Sequence, residues 1–361
     1  MEYSSAGQCE GSCTKHKCSD TLTAIAGDWG TLFVRLRLVY HCSRRENRVL
    51  AIYLAPISNG LGDLIVSIPI LQSLIKTGEP TYLVMRSPAQ YGLSDRIPGL
   101  AGSIKESEFD PDALKPDDRF FNFRAHPLQS GCIWGSAEFE AKYPGFRIND
   151  ILAGICRDWG IEADFERLIQ MPFKFREDFA DRVVFVPGSS GIFKCWSATN
   201  WISLYELLKA AGRQVIVVGQ PERSSQVRDV IAHGVPHIET KQIGDAVDAV
   251  SSASCVVSVD TGLMHIAVHQ NTPTVALFRY NTMFMRSYKH KRSLVAPLCD
   301  PACIERELEG APNEKLRYTE WALWDSLTCA LDDGSQPCAR MSEITANMVY
   351  DAVMDLLAER G

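Results

Sequence analysis

The sequence predicts an α/β fold built on parallel sheet, and three observations carry that expectation. Short apolar, β-branched runs at residues 183–186, 215–218 and 255–259 have the composition of strands buried on both faces. Each is followed by a short loop and then by a helical pattern of apolar residues. This order recurs three times between Val183 and Phe278. All three loops therefore fall at the carboxyl edge of one sheet, where open α/β sheets bind ligands.

The elements follow in chain order. Residues 1–47 form an N-terminal extension, with Cys9, Cys13, His16 and Cys18 in a polar tail and then an alternating run at 31–40 that reads as one or two half-buried strands. The tail's spacing fits either a metal knuckle or a loose chain end. The apolar run at 49–55 is the first buried strand. It turns through Pro56 to Gly62 and enters a helix at Asp63, with Leu64, Ile68, Leu71, Leu74 and Ile75 as its apolar stripe. Pro69 within that stripe predicts a kink or a shortened first part. A second strand follows at 81–85, the alternation continues less clearly to 120–123, and 148–159 reads as a closing helix. The stretch 126–144 lacks any period, which marks a functional loop.

Residues 164–180, with Pro172 and alternating Phe and charge, read as a crossing between two domains. The expected organisation is a first α/β domain at 48–175 and a second at 176–345. A cysteine-containing subdomain falls at 296–340, and a closing helix at 346–361 has periodicity that begins near Ser342.

A chain of 361 residues can build two domains with full cores. Its 46% apolar and 22% charged residues are ordinary for a soluble protein, and a net charge of −7 argues against nucleic acid as a partner. No apolar run approaches the ~18 residues that cross a bilayer, and the first residues lack the pattern of a secretion signal. The expected location is the cytoplasm, where 12 cysteines point to thiols or metal ligands before disulfides.

Chemistry concentrates on the loops. Ser189, Ser190 and Lys194 place two hydroxyls and an ammonium ahead of a helix, a composition suited to a diphosphate. Glu222 follows the second strand, where an acidic residue often holds a ribose hydroxyl pair. Asp260, Thr261 and Gly262 open the third helix, with His265 one turn in. That group reads either as a capped helix start with a core histidine or as a ligand loop. Asp63 also reads two ways: as a helix cap worth roughly 1 kcal/mol, or as a base for a hydroxyl in the cleft. The basic cluster of Arg279, Arg286, Lys289, His290, Lys291 and Arg292 is either a solvated loop or a patch for an anionic glycolipid or membrane leaflet.

Taken together, the segments 60–69, 187–196, 260–265 and 272–278 resemble glycosyltransferase family 9, which the ADP-heptose:lipopolysaccharide heptosyltransferases typify. The resemblance covers roughly residues 48–280 and the last helix. It implies the GT-B arrangement, two facing Rossmann-like domains with the acceptor chiefly on the first and the nucleotide sugar on the second. It also implies inversion at the anomeric carbon with no catalytic metal. Carried onto this chain, it makes Asp63 the catalytic base, with Ser189, Ser190 and Lys194 on the diphosphate. Glu222 then contacts the ribose, and Asp260, Thr261, Gly262 and His265 form the donor loop. The implied donor is ADP-heptose and the implied acceptor a lipopolysaccharide core or other surface glycan, reached at the inner membrane by a peripheral contact. Members that heptosylate autotransporter adhesins are similar in having an N-terminal extension and a four-cysteine iron site used in assembly. Cys299, Cys303, Cys329 and Cys338 are the matching candidates here for structural Fe or Zn. That branch implies an adhesin acceptor and an oligomer. A different class of function is a nucleotide-sugar-binding protein without transfer activity.

Overall fold

The computed structural model describes residues 50–130, 141–144, 148–165, 168–169, 171–279, 288–297 and 337–360. The N-terminal extension, most of the 126–144 loop, Arg286, and Cys299, Cys303 and Cys329 lie outside the described residues. From Arg48 onward the chain forms one compact unit.

Two parallel sheets organise it. The first contains β1 (Ile52–Ala55), β2 (Thr81–Met85), β3 (Gly102–Lys105) and β4 (Arg119–Asn122), in the order β3-β2-β1-β4. The second contains β5 (Arg182–Val186), β6 (Gln214–Gly219), β7 (His237–Glu239), β8 (Cys255–Val259), β9 (Thr274–Phe278) and β10 (Lys291–Val295). Its order is β10-β9-β8-β5-β6-β7. In each sheet the strand order reverses beside the first strand, so a crevice opens at the carboxyl ends there.

The helices are α1 (Leu61–Ile75), α2 (Pro88–Tyr91), α3 (Pro127–Ser130), α4 (Ile148–Asp158), α5 (Ala198–Ala210), α6 (Ser225–Ala232), α7 (Ile243–Ser252), α8 (Gly262–His269) and α9 (Ala346–Ala358). The β-branched runs explain the layering of the second sheet. Val183 and Phe185 of β5, and Val215 and Val217 of β6, join a core with Leu204 and Leu208 of α5 and Val349 and Val353 of α9. Their alternate neighbours Val184, Val186, Ile216 and Val218 join the opposite core with Val247 and Val250 of α7 and Ile266 of α8. Strands buried on both faces need apolar residues at every position, and these have them. The second core continues into the first sheet through Ile52, Leu54, Leu64 and Ile68.

Three elements depart from expectation. Helix α1 runs through Pro69 without a break in its assignment, because Ile65, Ile68, Pro69, Ile70 and Leu71 are all buried. Tertiary packing there outweighs the ~3 kcal/mol that an interior proline costs. Strand β10 was hidden in the basic cluster, since an edge strand tolerates charge that a central strand does not. Among the described residues of the cluster, much of the charge is drawn inward or paired. Arg279 is buried, Lys291 is buried on β10, and Arg292 pairs with Glu359, leaving Lys289 exposed. Among the described residues no helix is long and apolar enough to cross a membrane.

Candidate active site

Four carboxyl-edge loops of the second sheet, after β5, β6, β7 and β8, and the turn between β1 and α1 border one cavity of about 1680 Å³. Of the residues singled out from sequence, Asp63, Ser189, Ser190, Lys194, Asp260, Thr261, Gly262 and His265 all line it. Glu222 does not. It is exposed, and the same loop lines the cavity with Gln220 and Arg223.

The turn after β5 does not lead straight into the helix that the two hydroxyls and the ammonium were expected to precede. Ser189 and Ser190 precede a short 3-10 turn, Ile192–Lys194, and α5 begins only at Ala198, capped by Ser197. Phe193 and Trp196 are buried on either side of Lys194, anchoring the turn while Lys194 lines the cavity. The Trp196 Nε1 donates to the Ile344 carbonyl at 2.8 Å, which ties this turn to the segment before α9. The Ser189 hydroxyl donates to the Asp260 carbonyl at 2.9 Å, so it braces the β5 and β8 loops together.

A helix start faces the cavity at β8 instead. Thr261 is the extended N-cap of α8; in its first turn the Met264 N–H donates to the Thr261 carbonyl at 3.0 Å, while the N–H groups of Gly262 and Leu263 are the ones a helix start leaves without helical acceptors. Asp260 accepts a hydrogen bond from Lys194 Nζ at 2.9 Å, and His265 Nε2 stands 3.8 Å from its other oxygen. Burial works to raise the Asp260 pKa, but Lys194, His265 and the more distant Lys291 together hold it below the ordinary carboxylate value. Burial pushes His265 down to about 4 against the pull of Asp260, so its imidazole is neutral near neutral pH. Lys291, drawn inside from the basic cluster, is pushed down to about 8 by burial, with Asp260 opposing that shift.

From the other sheet, Asp63 is the third residue of α1. Its carboxylate accepts the Gly60 N–H at 2.9 Å, so both sequence readings meet in one residue: it caps its own helix and it faces the cavity. Burial raises the Asp63 pKa, the Gly60 hydrogen bond and Lys194 lower it in part, and Asp260 adds to the rise. The loop before it is fastened from behind. Arg86 donates to the Pro56 carbonyl at 2.6 Å, and Gln90 donates to the carbonyls of Ser58 and Gly60 at 2.9 Å each.

The two helix starts touch. A Cβ placed on Gly262 would stand 2.5 Å from the Leu61 Cβ, a separation that real side chains do not tolerate, so glycine is what lets α8 reach α1. Gly62 likewise faces the His265 ring, at 3.2 Å from a built Cβ. Sequence reasoning missed the cations Arg96, Lys174, Arg223 and Lys241, which also line the cavity. Only Arg223 was signalled, by its place in the β6 loop beside Glu222.

Of the four cysteines proposed as metal ligands, Cys338 is described. It is buried in the α5 and α9 core, and Arg279 Nε donates to its sulfur at 2.9 Å. Among the described residues there is no group of three or more His, Cys, Asp or Glu side chains able to hold a metal ion.

Comparison with known proteins agrees with this geometry. Residues 162–306 match the model of the family described as Glycosyltransferase family 9 (heptosyltransferase). Lipooligosaccharide heptosyltransferase 2 of Haemophilus influenzae is 29% identical over 137 residues, 35% of this chain. The chain spans only 36% of that relative's length in the match. The solved Escherichia coli ADP-heptose lipopolysaccharide heptosyltransferase II superposes with a TM-score of 0.54 at 17% identity, over 86% of this chain and 99% of the other. The iron-containing dodecameric glycosyltransferase TibC of enterotoxigenic E. coli superposes with a TM-score of 0.55 at 14% identity, over 86% of this chain and 77% of the other. In sequence over its second half and in its GT-B fold over both sheets, the chain is similar to the heptosyltransferases of glycosyltransferase family 9.

Proposed function

We propose that this chain is an inverting glycosyltransferase that moves a sugar, heptose in the first instance, from an ADP-linked donor to a hydroxyl of a lipopolysaccharide-core or other surface glycan. The observation that carries the reading is the pairing of opposites across one cavity. A carboxylate with a raised pKa stands on the first sheet, and a lysine held by Asp260 stands on the second. Asp63 takes the proton of the acceptor hydroxyl, whose oxygen attacks the anomeric carbon. The bond from that carbon to the diphosphate breaks, and its electron pair leaves with the diphosphate. Lys194 and the first-turn N–H groups of α8 stabilise the growing charge, a contribution of ~3 kcal/mol for a single well-placed donor. Attack from the face opposite the diphosphate inverts the centre.

The solved heptosyltransferase II is named for ADP-heptose, which supports adenine in the donor. Calorimetric titration of ADP, UDP and GDP tests it: ADP should bind most tightly. Equal or stronger binding of UDP or GDP would overturn the donor assignment.

The likeness to TibC, an iron-containing glycosyltransferase, supports a second element of the reading. Cys299, Cys303, Cys329 and Cys338 hold a structural metal, and in that branch the acceptor is a surface adhesin in place of a glycan. Protein purified without chelator should then carry close to one equivalent of iron or zinc. Less than about a tenth of an equivalent would remove the metal site.

A further inference from the structure

The two sheets are joined at a second place, away from the contact of α1 with α8. Arg96 ends a 3-10 turn on the first-sheet side, Ser94–Arg96, and its guanidinium crosses to α7 of the second. Nη1 donates to Asp248 Oδ1 at 2.5 Å and Nη2 to Oδ2 at 3.1 Å, a two-pronged pair. The same guanidinium donates to the Pro172 carbonyl in the crossing segment at 3.0 Å and to the Gly244 carbonyl at 3.2 Å. Asp248 in turn accepts the Lys174 N–H at 2.8 Å. The Arg96 and Asp248 side chains are only 22% and 11% exposed.

Two glycine-sized gaps permit this approach. A Cβ on Gly244 would stand 3.0 Å from Arg96 Nη2, and one on Gly92 would stand 2.6 Å from Ile243 Cγ2. An isolated surface ion pair contributes little, but a sheltered, bidentate guanidinium that also caps two carbonyls is a geometric lock that lysine cannot copy. Arg96, Gly244 and Ile243 line the same cavity as Lys194 and Asp260.

We propose that Arg96 is a latch. It holds the first-sheet module shut against α7, with the crossing segment clasped by the same group, and it thereby keeps the cavity closed around a bound nucleotide. Arg96 is a positioning residue in this scheme and touches no reacting atom. The inference rests on the cavity being the donor site, yet its first test needs no donor. When the latch is removed, the closed state becomes one of two populations, and apparent affinity falls by the closed fraction.

The test uses spin-labelled noncanonical amino acids at Lys115 and Lys209, exposed positions on the two sides, since 12 native cysteines rule out thiol labelling. Wild type should give one short distance distribution by pulsed electron resonance. Arg96→Ala and Asp248→Asn should each add a longer population, and Arg96→Lys should fall between. ADP affinity should drop roughly tenfold in Arg96→Ala. The donor KM should rise while turnover at saturating donor holds within about twofold, a split that a general loss of folding would not produce. Distance distributions in Arg96→Ala and Asp248→Asn that superimpose on wild type would overturn the latch. Variants that open, together with a wild type that binds no ADP, would leave the latch standing and remove the donor reading instead.

Discussion

Two turns of similar design face each other across the cavity, and each carries an aspartate. One follows β1 and starts α1; the other follows β8 and starts α8. Both enter their helix from an extended residue, Gly60 in the first and Thr261 in the second. Asp63 stands inside its helix and accepts a backbone N–H from its own turn. Asp260 stands before its helix and accepts Lys194 from a neighbouring strand's loop. Burial pushes both carboxylates toward the neutral form, and only Asp260 has a side-chain ammonium hydrogen-bonded to it that reverses the effect. The partner decides the role: a carboxylate that accepts a proton on one side, and a permanent counter-ion on the other.

The sharpest way to break the comparison is Asp63→Asn. Turnover should fall by about three orders of magnitude, as for loss of a general base, while ADP affinity measured by calorimetry stays within about twofold. Retained turnover would make Asp63 a helix cap and nothing more.

Lys194→Met comes next. It leaves Asp260 buried without its ammonium, and denaturant melts should show a loss of 3 kcal/mol or so. The double variant Lys194→Met with Asp260→Asn should recover most of that stability and none of the activity. Recovery of both would mean that the pair is structural only.

His265 gives an effect of similar kind and a defined pH window. Its folded pKa of about 4 lies below the ordinary 6.5, so its contribution to stability is present above 6.5 and is lost as pH falls toward 4. The loss amounts to roughly 3 kcal/mol, and His265→Gln should flatten the stability profile across that window. Gly262→Ala should cost about 1–3 kcal/mol by forcing Leu61 aside, with Gly62→Ala costing less because its contact is looser.

The smallest effect is Asp63's own titration. Its raised pKa favours the folded state most at low pH, and that contribution is lost as pH rises through the raised value. Activity runs the other way, since the base works only when ionised. The acid limb of the rate profile should therefore lie above the ordinary carboxylate value of about 4.

Much of this was legible before the structure. Val183, Val215 and Cys255 open runs that need burial on both faces, and only a central parallel sheet supplies it. The cavity-lining role of Asp63, Lys194 and Asp260 followed from their places after such strands. Glu222 shows the limit: position after a strand locates a loop, and the direction of one side chain within it depends on turns that no local pattern records. The serines at 189 and 190 show another. A phosphate-like composition was visible, but burial of Phe193 and Trp196 inserted a 3-10 turn before the helix, and that depends on contacts with distant Ile344. Arg96 and Asp248 were invisible for the same reason, being partners 152 residues apart.

The apolar core that runs from β1 and α1 into α7 and α8 has a thermal consequence. Parting the two sheets at Leu61 and Gly262 would wet part of that core, and wetting apolar surface raises heat capacity. Any ligand that favours the shut form should therefore bind with a negative heat-capacity change larger than its own buried area accounts for. Its enthalpy of binding should grow more favourable on warming, with a steeper slope than a rigid, preformed pocket of the same contact area would give.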